Sequence, residues 1–197
     1  MMSPTTDPTT ISDATGADGV SAPTASVAFP SVQWFEALGQ LMHEQRDHFA
    51  KIGDMDCTMQ LTLYDAGPDG QPWRCQVEFE GTDVVDVREV GEDDEDRADF
   101  VLETDLDTWR EMVDNIVANR GRPDLDHTLN RLSLPGVPIR LWGVDPVRRD
   151  AYYRFNQSLQ HYINNAAALR TRWPDSGDQA SAPDGPRAAQ AAGSGRR

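Results

Sequence analysis

The residues on which chemistry could turn are four histidines (His43, His48, His127 and His161), two cysteines (Cys57 and Cys75) and the carboxylate run Glu92-Asp93-Asp94-Glu95-Asp96. The segment His43-Glu44-Gln45-Arg46-Asp47-His48 approaches a metalloprotease motif, but that motif sets its histidines four apart on one helix face. Here they stand five apart, about 140° around a helix that turns about 100° per residue. They read as exposed helix residues. The carboxylate run lacks the spaced ligands and the turn glycine of a calcium loop. It reads as a solvated, mobile loop. There is no glycine-rich phosphate loop, no Gly-x-Ser-x-Gly elbow, and no nucleophile beside a recognisable base. The chain is therefore expected to be no enzyme, with no cofactor and no metal.

The elements that would position these residues follow from periodicity. Trp34, Phe35, Leu38, Leu41, Met42, Phe49 and Ile52 recur at helical steps, with Ser31 as N-cap and Gly53 after the last turn. Cys57, Met59, Leu61 and Leu63 then alternate with Thr58, Gln60, Thr62 and Tyr64. After the turn signal Ala66-Gly67-Pro68-Asp69-Gly70, Trp73, Cys75, Val77 and Phe79 alternate with Arg74, Gln76, Glu78 and Glu80. This is an antiparallel hairpin with one apolar face. Pairing around the turn sets Cys57 near Phe79, and Cys75 near Leu61 or Leu63. The sulfurs are then about 15 Å apart at strand rise, too far for a disulfide. Two free, half-buried thiols are expected.

A third strand runs through Val84–Arg88, and a fourth lies around Asp99–Glu103. Thr104-Asp105-Leu106-Asp107 fits a capping box, and the helix behind it carries the stripe Leu106, Trp109, Met112, Val113, Ile116 and Val117. A short helix at Leu125, Leu129 and Leu132 precedes a fifth strand through Val137, Ile139 and Leu141, whose Pro138 suits an edge. Asp145-Pro146 opens a final helix that carries Val147, Ala151, Phe155, Leu159, Tyr162, Ile163 and Ala166. The fold class is α+β, a mainly antiparallel five-stranded sheet covered by helices.

With 33 acidic against 18 basic residues the net charge is −15, which argues against a nucleic-acid binder and against attraction to an anionic bilayer. No run of about 18 apolar residues offers a membrane span, and the start lacks a signal-peptide pattern. A cytoplasmic protein is expected. Residues 1–29 and 174–197 are poor in large apolar side chains and are expected to be disordered tails around a body from Pro30 to Trp173.

The body, from about Trp34 to Ile163, resembles the sterol carrier protein type-2 family of lipid-binding domains. The resemblance is carried by the strand pair Cys57–Asp65 and Trp73–Glu80, by Ala98-Asp99-Phe100-Val101-Leu102-Glu103-Thr104-Asp105 leading into a capped helix with Trp109, and by Leu132-Ser133-Leu134 through Ile139-Arg140-Leu141-Trp142-Gly143 before the last helix. It implies a sheet and helices around an apolar tunnel that holds a lipid without chemistry of its own. The chain departs from the family pattern in its two tails, in Leu134-Pro135-Gly136-Val137-Pro138 and in the acidic run. The expected function is a non-catalytic carrier of a hydrophobic small molecule (a lipid, sterol, fatty acyl or terpenoid-like compound) that presents it to a soluble enzyme. Met59, Phe79, Phe100, Trp109, Met112, Ile116, Tyr153 and Phe155 are expected near the ligand. Each of them serves equally well as plain core. The alternative is an accessory subunit of a lipid-metabolising complex with a filled cavity. Finally, the last helix is basic on an acidic body, and Arg148 and Arg149 in its first turn invite an anion, from the body, a ligand head or a partner.

Overall fold

The computed structural model describes residues 26–174. A short strand β1 (Ser26–Ala28) leads into helices α1 (Val32–Glu44) and α2 (Arg46–Ile52). The hairpin β2 (Cys57–Tyr64) and β3 (Trp73–Glu80) continues through β4 (Asp83–Glu89), and a 3-10 segment over Glu92–Arg97 precedes β5 (Phe100–Asp105). Helix α3 (Leu106–Ala118), a 3-10 turn at Leu125–His127 and α4 (Leu129–Leu132) lead to β6 (Arg140–Trp142). The chain closes with α5 (Pro146–Arg149), α6 (Ala151–Asn164) and β7 (Arg170–Arg172).

Local chemistry accounts for most boundaries. The Ser31 side chain accepts the Trp34 amide, Asp105 that of Thr108, and Asp145 that of Val147. Each satisfies an amide that the first helical turn leaves unpaired. The hairpin has the expected register, with Cys57 opposite Phe79 and Leu61 opposite Cys75. Both thiols are free, and both are buried rather than half-buried. Burial pushes the Cys75 thiol up to about 12, and that of Cys57 higher still. Burial thus favours the neutral thiol at both positions.

Four corrections to the sequence reading concern long-range organisation. The five-stranded sheet has the order β4-β3-β2-β5-β6 and is mixed. Its outer pairs are antiparallel, but β2 and β5 at its centre run parallel, Met59 beside Phe100 through Tyr64 beside Asp105. The chain leaves edge strand β4 and crosses the sheet before β5 enters on the far side of β2.

Second, the acidic run is not a loose loop. It forms the 3-10 segment, which covers the polar face of the hairpin: the Gln76 side chain donates to the Asp94 carbonyl (2.8 Å) and to Gln60 (2.9 Å). Gln60, Thr62 and Gln76 are therefore buried, although their types promised a solvated face.

Third, residues 26–29 do not belong to a tail. Strand β1 pairs in parallel with β7, and Phe29 is 2% exposed. The remaining tail assignments lie outside the described residues. Fourth, both long helices are divided, the first at Gln45 and the last at Asp150. The fifth strand is shorter than its alternation promised, but it does lie at the sheet edge.

Candidate functional site

The face of β2, β3 and β5 turned towards the helices carries Met59, Leu61, Leu63, Phe79, Phe100 and Leu102, all essentially inaccessible. Trp109, Met112, Val113 and Ile116 of α3 meet it at helical spacing, each buried side chain contributing about 1.5–3 kcal/mol. Helix α6 supplies Leu159, Tyr162 and Ile163, and α1 supplies Trp34, Phe35, Leu38 and Met42. The interior is one continuous apolar body with few polar groups. Tyr162 donates to the Phe35 carbonyl (2.8 Å), and its ring stands edge-on to Phe79 at 5.0 Å. Tyr152 lies edge-on to Phe100 at 5.5 Å, its hydroxyl 2.6 Å from that of Ser133.

Six of the eight residues expected near a ligand (Met59, Phe79, Phe100, Trp109, Met112 and Ile116) come together in this interior. Phe155 is partly buried at its margin. Tyr153 is not brought to them: it is 59% exposed, its ring packed on the outside of Tyr152 at 5.3 Å.

Aromatic rings concentrate at one end. Phe29, Trp34, Phe35, Trp73, Trp109 and Trp173 form a connected cluster with centroid separations of 4.9 to 6.5 Å. It holds four of the five tryptophans of the chain. Two polar atoms here are buried without a partner, the indole nitrogen of Trp109 and the hydroxyl of Thr104. Thr104 shares the inner face, since its neighbour across β2 is Leu63, which in turn faces Trp73. A buried donor without an acceptor costs about 1–3 kcal/mol, and the Trp142 indole nitrogen, outside this cluster, is in the same state. Sequence reasoning missed Phe29, Trp73, Trp173 and Thr104 as members of a site. The available signal was the tryptophan content of a chain otherwise rich in small and acidic residues.

The two arginines expected to meet an anionic ligand or partner are differently engaged. Arg148 donates through Nε to Asp99 Oδ1 (2.8 Å), and through its two terminal nitrogens to the carbonyls of Asp96 (2.9 Å) and Arg97 (2.7 Å). It clamps the acidic segment, so the anion it meets is the body of the chain. Arg149 lies 3.6 Å from Asp150, with its stem against Gly143.

Two surface clefts lie elsewhere. One of about 820 Å³ runs between α1 and edge strand β4, and one of about 410 Å³ lies at the end of β2 and β3 beside Asp56 and Asp99. Among the described residues no group of three or more His, Cys, Asp or Glu side chains is arranged to hold a metal. Nor is any helix among them long and apolar enough to cross a membrane.

No family model and no curated protein matches the chain. Two solved structures are similar to it. One is the solution structure of a conserved hypothetical protein from Thermus thermophilus, provisionally described as a sterol carrier protein: 18% identity, TM-score 0.49, covering 74% of this chain and 95% of that one. The other is the crystal structure of a sterol carrier protein 2: 19% identity, TM-score 0.47, covering 70% of this chain and 95% of that one. The likeness is one of fold.

Proposed function

We propose that the protein is a non-catalytic carrier of a hydrophobic small molecule held between the helices and the inner face of the sheet. The observation that carries this reading is the buried, partnerless Trp109 indole in an otherwise apolar, aromatic-rich interior. Ligand sites are mostly apolar, with a few placed polar groups, and a donor left without an acceptor is the group a ligand would complete. The net charge of −15 opposes capture by an anionic membrane, so delivery to a soluble enzyme in the cytoplasm is the reading that charge favours.

Native mass spectrometry of freshly purified protein, followed by delipidation and thermal titration, tests this. A co-purifying apolar molecule is expected, and its return should raise the melting temperature, because a ligand bound only to the folded state stabilises it. A delipidated chain that gains neither mass nor stability from fatty acids, acyl-CoA, sterols or terpenoids overturns the reading. That outcome would favour the accessory subunit with a filled interior, a reading supported by the close packing of the same six side chains.

A further inference from the structure

Phe29 is held where the two ends of the described chain meet. Its ring stands edge-on to Trp34 and Trp173, both at 4.9 Å. It lies within 7° of parallel to Trp109 at 6.3 Å, and it is tilted against Phe35 (6.1 Å) and Trp73 (6.5 Å). One benzene ring is thus enclosed by five aromatic rings, in the offset and edge-on arrangements that ring quadrupoles favour.

Beyond those rings, the backbone pairing that closes over it is short. Strands β1 and β7 are three residues each, pair only with one another, and have mostly accessible side chains. The Phe29 amide donates to the Arg172 carbonyl (2.9 Å), and the Trp34 indole donates to the Thr171 hydroxyl (3.0 Å). A two-stranded pair of this kind is marginal alone, so it rests on Val27, Leu169 and Trp173 packing against the core, and chain ends held this way open more readily than a central sheet. The five-stranded sheet, by contrast, is independent of this pair.

We propose that Phe29 is an intramolecular occupant of the ligand site and that the β1–β7 pair is its gate. This rests on the carrier reading and specifies how that site is regulated. The ligand enters by displacing Phe29 with an aromatic ring of its own, and its hydrogen-bond acceptor meets the Trp109 indole N–H. A ring-bearing carbonyl or carboxyl compound fits this exchange better than a saturated acyl chain, because the walls contacting Phe29 are ring faces and edges. The apparent association constant is then the intrinsic one multiplied by the fraction of molecules in which the gate is open.

The test uses the full-length chain with Ser26→Cys and Arg170→Cys, two accessible residues that face one another in the β1–β7 register. Calorimetric titration with 2-acetylnaphthalene and with octanoate compares the oxidised, locked form with the reduced form. The naphthyl ketone should bind the reduced form at least tenfold tighter than the locked form, and tighter than octanoate. A second variant, Phe29→Ala, should bind the ketone at least tenfold tighter than the unaltered chain. Equal affinity of the locked and reduced forms overturns the gate while leaving the carrier reading in place. Unchanged or weaker binding by a folded Phe29→Ala makes Phe29 plain core and overturns its role as occupant. If Phe29→Ala does not fold, the locked pair decides alone, since it retains the ring. Absence of binding by every form, together with failure of the lipid panel, removes the carrier reading itself.

Discussion

Arg148 shows how far a residue type can mislead about its partner. Its guanidinium makes three hydrogen bonds to the segment around Asp96–Asp99, and the Asp99 carboxylate also accepts the Thr58 amide at 2.7 Å. The arginine thus ties the acidic segment and α5 to the start of β2. Replacement by Gln removes a charge-assisted clamp that is worth about 1 kcal/mol after discounting for its 41% exposed side chain. Differential scanning calorimetry should show the melting temperature falling by about 2–4 °C. An unchanged melting temperature would contradict the clamp.

Two histidines of similar type are shifted in opposite directions. The hydrogen bond that His127 donates to the Asp124 carboxylate raises its imidazole above the ordinary value, whereas burial, followed by the neighbouring His48, lowers His161. His127 therefore contributes stability that is full below its unfolded-state value and is lost as pH rises through its raised folded value. His161 contributes stability that is present above its unfolded-state value and is lost as pH falls through its lowered folded value. NMR titration should find the His161 ring protonating at lower pH than the His127 ring. The reverse order would refute both assignments.

At the scale of elements, the packing of α1 on β4 depends on Gly39. A Cβ built there would meet Val84 Cβ at 2.9 Å, closer than real contacts allow. Alanine at this position gains about 1 kcal/mol in helix propensity over glycine, but overpacking costs about 1–3 kcal/mol. The clash lies against a Cβ fixed to the strand backbone, so it cannot be relieved by a rotamer change and should win. Urea denaturation of Gly39→Ala should show a net loss of about 1 kcal/mol, and Val84→Gly in the same chain should remove the penalty. A more stable Gly39→Ala would mean that α1 and β4 separate readily. The 3-10 segment over Glu92–Arg97 makes a related point: its carboxylates face outward or pair with Arg74 and Arg97, while its backbone covers the sheet.

At the scale of the whole molecule, the excess of acidic residues opposes compaction. Most of its ion pairs are surface pairs worth about 0–1 kcal/mol each, whereas self-repulsion of the net charge of −15 acts over the entire chain. Salt screens both. The melting temperature should therefore rise by a few degrees between 50 mM and 500 mM sodium chloride. A fall would show that the ion pairs, Arg148–Asp99 foremost among them, outweigh the general repulsion.

Features of short range were legible in the sequence alone. The hairpin register, the caps Ser31 and Asp145, the start of α3 to within one residue (Asp105 caps it, one position after the Thr104 of the expected capping box), four of the six residues of its expected inward stripe and the free state of both thiols follow from periodicity and from side chains meeting their own backbone a few residues away. Six of the eight expected ligand-side residues lie in the shared interior because a strand or helix has only one apolar face to bury. Tertiary structure alone decided the rest. The parallel placement of β5 beside β2, the covering of the Gln60 and Gln76 face by an acidic segment, and the partner of Arg148 depend on what arrives from 18 or more residues away. The clearest case is Phe29. A three-residue strand is too short to show a period, so composition assigned it to a tail; only the return of the chain at Arg170–Arg172 places its ring among five others.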